Sequence, residues 1–178
     1  MDENAQGLQR YIARQSQKRH LAAVWAELAG LRSGMVVVDI GSGPGVLALE
    51  YARVAAKVYT VDPHVAPVWQ ADNLIPLPQD AAAPLTLPTP PDIFFLTDTL
   101  HHASDPAAIL RAVHAASGST TKILIAEYDP AGPGLVGAKP HRRLAPATLL
   151  ALLAAAKFTH GGIIAAPDEH YAVLARPA

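Results

Sequence analysis

The 178 residues suffice for one ordinary hydrophobic core and not for two substantial domains, so a single domain over 1–178 is expected, with residues 1–33 as an N-terminal helical segment and 34–178 as the core. With 51% apolar residues, 14 Lys and Arg against 15 Asp and Glu, and a formal net charge of -1, the chain is neither a disordered polyelectrolyte nor a general binder of phosphate backbones. It contains no cysteine, which excludes disulfides, thiolate metal sites and a cysteine nucleophile. The acidic start Met1-Asp2-Glu3 and the absence of an apolar run of membrane-spanning length lead to the expectation of a soluble, cytoplasmic protein.

Apolar spacing predicts one helix from Asn4 to Ala29, ended by Gly30. Arg10, Arg14 and Lys18 recur every four residues on it and read as a solvated face, without a footprint for specific nucleic-acid binding. The period then changes. Val36 to Ile40 is a continuous apolar run of the kind found in a strand covered on both sides. Gly41, Gly43 and Gly45 follow, then a helical pattern from Val46 to Ala56, then a second strand from Lys57 to Val61, which together make a right-handed βαβ unit. Seven prolines from Pro63 through Pro90 exclude a long helix there, and Leu74 to Leu77, containing Pro76, suits an edge strand. Strands at Asp92–Leu96 and Lys122–Ala126 flank a helix opened by Asp105-Pro106. The tail reads as a helix from Pro146 to Lys157, a strand at Gly162–Ala165 and a last, antiparallel strand at Tyr171–Ala175. The sum is an open α/β sheet, mixed at one end.

In such a sheet the ligand lies beyond the carboxyl ends of the strands, where the first strand-to-helix turn sits. Gly41 and Gly43 let backbone approach a ligand closely, and the helix start offers unpaired N–H groups. Asp39 ends the first strand. Asp62 ends the second, where a carboxylate can accept from vicinal ribose hydroxyls, and its removal is expected to leave the unliganded fold intact. Two acids beside one glycine turn describe a ligand carrying ribose, with or without a cationic group. A dinucleotide would want Gly-x-Gly-x-x-Gly, but Val46 stands where the third glycine belongs, and no Gly-Lys-Ser or Gly-Lys-Thr follows for a phosphate loop.

The run Val37-Val38-Asp39-Ile40-Gly41-Ser42-Gly43-Pro44-Gly45 resembles the first motif of class I S-adenosylmethionine-dependent methyltransferases, in their compact type 11 or type 25 form, and the resemblance extends from about Gly34 to Pro177. It implies a Rossmann-like, open, mostly parallel sheet of seven strands, or six, with helices on both faces and an antiparallel C-terminal strand. It implies S-adenosyl-L-methionine as cofactor. The methionine part would lie on Gly41, Ser42, Gly43 and Gly45, organised by Asp39, and the ribose on Asp62 with Pro63 beside it. Adenine would lie at Asp80 and Ala81, and Thr97 would end the strand that runs past cofactor and substrate. The proline-crowded stretch from Asp62 to Asp80 departs from the family, which places a full helix and a strand there; the departure implies either a more open pocket or a retained fold without activity.

A proton on the acceptor would call for a base, and histidine matches that task best. His101 and His102 follow the fourth strand. If that segment is extended, at most one of them faces the substrate, with His102 preferred. Glu127, ending the fifth strand, would bind a substrate amine or orient a histidine. The glycine-rich stretch from Pro130 to Pro140 reads as a mobile lid or a passive linker. No metal-ligand spacing occurs. The function expected is S-adenosylmethionine-dependent methyl transfer to a small molecule or an exposed group. The alternatives are a weak or inactive cofactor-binding scaffold and, against Val46, a nucleotide-dependent oxidoreductase. Self-association is left open.

Overall fold

The computed structural model describes residues 3–64 and 68–178, and only the backbone of residues 3–5; Met1, Asp2 and Pro67 lie outside the described residues. Five strands, Val36–Ile40 (β1), Lys57–Val61 (β2), Leu74–Leu77 (β3), Ile93–Thr97 (β4) and Lys122–Tyr128 (β5), pair in parallel in the order β3-β2-β1-β4-β5. His170–Pro177 (β8) runs antiparallel to β5, and Phe158–His160 (β6) and Ile164–Ala165 (β7) both pair with β8. The chain winds outward from β1 to β3 and then returns to β4 beside β1, so a crevice opens above the carboxyl ends of β1 and β4. Pro76 sits on β3, which among the described residues pairs only with β2, and an edge strand tolerates a missing donor.

Successive side chains of β1 feed two cores. Val37 joins Trp25, Tyr51 and Phe95 on the face covered by Leu21–Ala29 (α2) and Val46–Ala52 (α3), where Tyr51 stacks on Phe95 at 4.1 Å. Val38 joins Phe94, Leu110 and Leu153 on the face covered by Pro106–Ala116 (α4) and Pro146–Ala155 (α5). This alternation explains why the strands read as unbroken apolar runs: both sheet faces are dry.

Several boundaries differ from the sequence expectation. The N-terminal segment is two helices, Glu3–Ser16 (α1) and α2, because residues 17–20 turn to send Lys18, Arg19 and His20 to three separate partners: Asp98, Glu50 and Asp168. The helix α3 stops at Ala52, where Asn73 Nδ2 donates to the carbonyls of Ala52 and Ala55. The last edge is two short strands, β6 and β7, separated by Gly161, Gly162 and Ile163, with Gly162 at φ +101°. Between β2 and β3 and between β3 and β4 no helix forms among the described residues. Instead the proline-rich segment 78–92 lies over the sheet, with Leu85 and Leu87 against the core and Thr89 Oγ1 accepting from the Tyr59 hydroxyl at 3.0 Å. Gln79 holds Thr86 from both sides, so the segment is pinned without being helical.

Candidate active site

The glycine turn is built by what presses on it. Gly41 donates to Val61 O at 2.8 Å and adopts φ +69°, and a Cβ there would meet Thr99 Oγ1 at 2.6 Å. Gly43 adopts φ +52°, and a Cβ there would meet the Tyr11 hydroxyl at 2.7 Å. Both positions need glycine for conformation and for space. Gly45 caps α3 in the left-handed region, so the start of that helix faces the crevice. Asp62 closes the turn: its carboxylate accepts from the N–H of Gly43 at 3.1 Å and from that of His64 at 2.9 Å.

Asp39, in β1, is buried and makes no side-chain hydrogen bond or ion pair among the described residues. Burial, with the Asp62 charge adding to it, pushes its carboxyl up to about 8. The Ser42 hydroxyl and the Tyr51 hydroxyl are also buried without a partner among the described residues. A pair of carboxylates beside three glycines, one of them buried without a positive complement, suits a ligand that brings both hydroxyls and positive charge.

Across the crevice, Leu100–His102 forms a single 3-10 turn rather than an extended segment. Successive side chains therefore need not diverge by half a turn, and the rings of His101 and His102 pack at 3.9 Å and 43°. Glu127 is fully buried and organises this turn, accepting from the N–H groups of Thr99 at 3.1 Å and Leu100 at 2.7 Å with one oxygen and from His101 Nδ1 at 2.5 Å with the other. A carboxylate only accepts, so in a neutral His101 the proton sits on Nδ1 and Nε2 carries the lone pair. That Nε2 is buried and has no hydrogen-bond partner among the described residues. His102 is exposed, and burial of part of its ring, then His101 and Arg142, lowers its pKa.

A second polar chain runs from the turn after α1 to β8. Asp98, at the strained φ of +54°, binds Lys18 Nζ at 2.6 Å and His170 Nε2 at 2.9 Å. Burial alone would raise the Asp98 carboxyl, but His170 and Lys18 hold it below the usual range. His170 Nδ1 also faces an acceptor, Pro167 O at 3.0 Å, so the ring donates on both sides. The solvated face expected for Lys18 is thus corrected: it is a tertiary ion pair that ties the N-terminal segment to the end of β4.

The loop 129–143 forms the outer wall, held by a part-buried ion pair. Arg143, its side chain fully buried, donates to the carbonyls of Asp129, Val136 and Ala138 and to Glu169, each at 2.7 Å. Glu169 in turn accepts from the N–H groups of Gly134, Leu135 and Val136. Although burial works the other way, Arg143 and these three donors bring the Glu169 carboxyl down to about 2. Gly137 lies so close to the Tyr128 ring that a Cβ there would overlap it.

These parts enclose one cleft of about 750 Å³, a volume suited to a small organic ligand. Of the sequence candidates, Asp39, Gly41, Ser42, Asp62, Thr97, His101 and His102 line it, with Gly43, Gly45 and Glu127 directly behind. Pro63 follows Asp62 at the surface and is not part of the lining. Asp80 and Ala81 are not brought to the cleft: Asp80 is exposed and bonds its own turn at Ala82 N, while Ala81 is buried against the α4 and α5 core. Tyr11, Asp98, His170 and the Arg143–Glu169 pair are additions from the structure. Of these only Asp98 had a sequence signal, its place after β4.

Two acids beside a glycine turn at the switch point of an open, mostly parallel sheet place the chain among α/β proteins with a ligand crevice at that point. More particularly, it belongs to the methyltransferase domain family, which matches residues 9–171. Its fold is similar to that of a SAM-dependent methyltransferase from Aquifex aeolicus, at 19% identity and TM-score 0.76, covering 88% of this chain and 89% of that one. It is similar also to 1,6-didemethyltoxoflavin-N1-methyltransferase from Burkholderia thailandensis, with S-adenosylhomocysteine bound, at 22% identity and TM-score 0.72, covering 98% and 84%. The [4+2]-cyclase SpnF shares the fold as well, at 18% identity and TM-score 0.69, covering 89% and 81%. No curated protein sequence matches the chain.

Proposed function

We propose that the cleft holds S-adenosylmethionine on the glycine turn and that the chain passes its methyl group to a small molecule seated between the histidine turn and the 129–143 wall. The observation that carries this reading is Asp39, a buried carboxyl without a positive partner, two steps before Gly41 and close enough to Asp62 to feel its charge. When bound, the cofactor supplies an electrophilic methyl group on a positively charged sulfur. The chain supplies the rest. Gly41 to Gly45 give close backbone approach, Asp39 complements positive charge, and Asp62 accepts from ribose hydroxyls in addition to pinning Gly43.

On the acceptor side, His101 Nε2 takes the proton of the nucleophile, while Glu127 holds Nδ1–H and so fixes the tautomer and the ring. His102, packed against that ring at a tilt, is the second candidate for direct contact with the acceptor. Holding the two reactants in one enclosed cleft accounts for much of the rate gain such a transfer needs. Equilibrium titration tests the reading: S-adenosylmethionine and S-adenosylhomocysteine should saturate a single site and NAD should not bind. The Gly43→Val variant, folded but clashing with Tyr11, should lose both ligands. Binding of NAD in their place would overturn it.

A further inference from the structure

We infer that the methyl acceptor is an apolar molecule bearing an anionic group, and that Lys139 and Arg142 receive that group at the mouth of the cleft. This rests on the assignment of the cleft to methyl transfer and names the acceptor class for the same site.

Asp39 and Asp62 lie at the glycine turn, with Arg14 over the Tyr11 ring beside it, while the acids elsewhere in the lining hold hydrogen-bonded partners, Asp98 with Lys18 and His170, and Asp168 with His20. Lys139 and Arg142 line the outer wall and form no ion pair among the described residues. The Arg142 charge reaches inward: with His101 and Lys18 it acts against protonation of His102, and Asp98 acts for it. Lys139 and Arg142 thus stand on the outer wall with no carboxylate paired to them among the described residues.

These two cations are not on a free surface loop. They bracket the short 3-10 turn Pro140–Arg142, closed by Arg142 N donating to Lys139 O at 2.8 Å, and the next residue is the buried Arg143 that fastens the whole wall. Their backbone is thus placed before any ligand arrives, which lowers the ordering cost of binding. The same wall turns Leu135, 84% exposed, and Val136, 40% exposed, toward the cleft. Exposed apolar side chains beside two uncompensated cations match a ligand with an apolar body and an acidic substituent. A neutral or cationic acceptor would leave the cations unanswered or meet repulsion.

The test uses 8-anilinonaphthalene-1-sulfonate, an apolar anion, and N-phenyl-1-naphthylamine, which has the same rings without the sulfonate. Both are titrated by fluorescence into the full chain saturated with S-adenosylhomocysteine. The sulfonate should occupy one site at least roughly tenfold more tightly than the neutral amine, since one charge-assisted contact is worth about that factor. The double variant Lys139→Gln/Arg142→Gln should erase the difference while leaving the affinity for S-adenosylhomocysteine unchanged. Equal affinity of the two probes for the wild type, or a preference for the sulfonate that survives in the double variant, overturns the inference. A wild type that takes up no S-adenosylhomocysteine fails in that separate arm, and overturns the methyl-transfer reading together with this one.

Discussion

Replacing Asp62 separates two tasks carried by one carboxylate. In the unliganded chain it accepts from Gly43 N at 3.1 Å and from His64 N at 2.9 Å, so it organises the turn as well as facing the ligand. Charge-assisted bonds of this kind contribute ~1.5–3 kcal/mol each, and water replaces them in part at a half-buried position, so Asp62→Ala should cost about 1–2 kcal/mol of unliganded stability. The sequence alone gave no reason to expect that cost. Loss of two bonds from ribose hydroxyls should weaken S-adenosylhomocysteine by a further 2–3 kcal/mol or so, roughly 30- to 150-fold. Asp62→Asn keeps one acceptor oxygen and should restore about half of the stability, but its amide N–H₂ meets the hydroxyls as a donor, and little affinity returns. Calorimetric titration of wild type and both variants, paired with urea unfolding of each, reads the two tasks apart. Unchanged affinity in two folded variants would refute the ribose role. Unchanged stability would refute the pinning of the turn.

Three further outcomes follow from the same geometry. Asp39 titrates at about 8 in the folded chain and near 4 when unfolded, so the folded state binds an extra proton between those values. Stability of the unliganded protein should therefore fall as pH rises across that window and level off above it; urea unfolding at about pH 5 and about pH 8 checks this, and Asp39→Asn should flatten the slope. Glu127→Ala leaves the N–H groups of Thr99 and Leu100 and the His101 ring without their acceptor in a dry site, and should cost about 2–4 kcal/mol by urea unfolding, with Glu127→Gln recovering part. Arg143→Lys cannot reproduce four bonds with one ammonium. It should lower the melting temperature by roughly 5–10 °C and open residues 129–143 to proteolysis, whereas a wall that stays resistant would contradict its fastening by Arg143.

The parts legible in the sequence are those set by short-range chemistry. The run from Val37 to Gly45 states its strand, its turn and its helix start within nine positions, and the apolar runs of β4 and β5 announce strands buried on both faces. Pro76 correctly marks an edge because a missing donor is a local fact. The spacing of Arg10, Arg14 and Lys18 describes one face of a continuous helix, but the chain turns at residues 17–20 and carries Lys18 to Asp98, 80 positions away. Two adjacent histidines diverge on an extended segment, whereas Glu127 gathers the backbone there into a 3-10 turn. The expectation for Asp80 rests on family position alone, and the non-helical connections on either side of β3 leave it in a surface turn. Arg143 and Glu169 carried no local signal, since their pairing across 26 positions is a tertiary fact.

Amide hydrogen exchange with and without saturating S-adenosylhomocysteine tests the central claim, that the cofactor lies on this glycine turn, most directly. The N–H groups of Gly41 and Gly43 already have acceptors in Val61 and Asp62, so closure over a ligand should slow their exchange further, together with that of residues 44–47 at the start of α3. Protection concentrated at residues 39–47 and 60–64 is the predicted result. Saturable binding that leaves those segments unchanged and protects another part of the chain would contradict it.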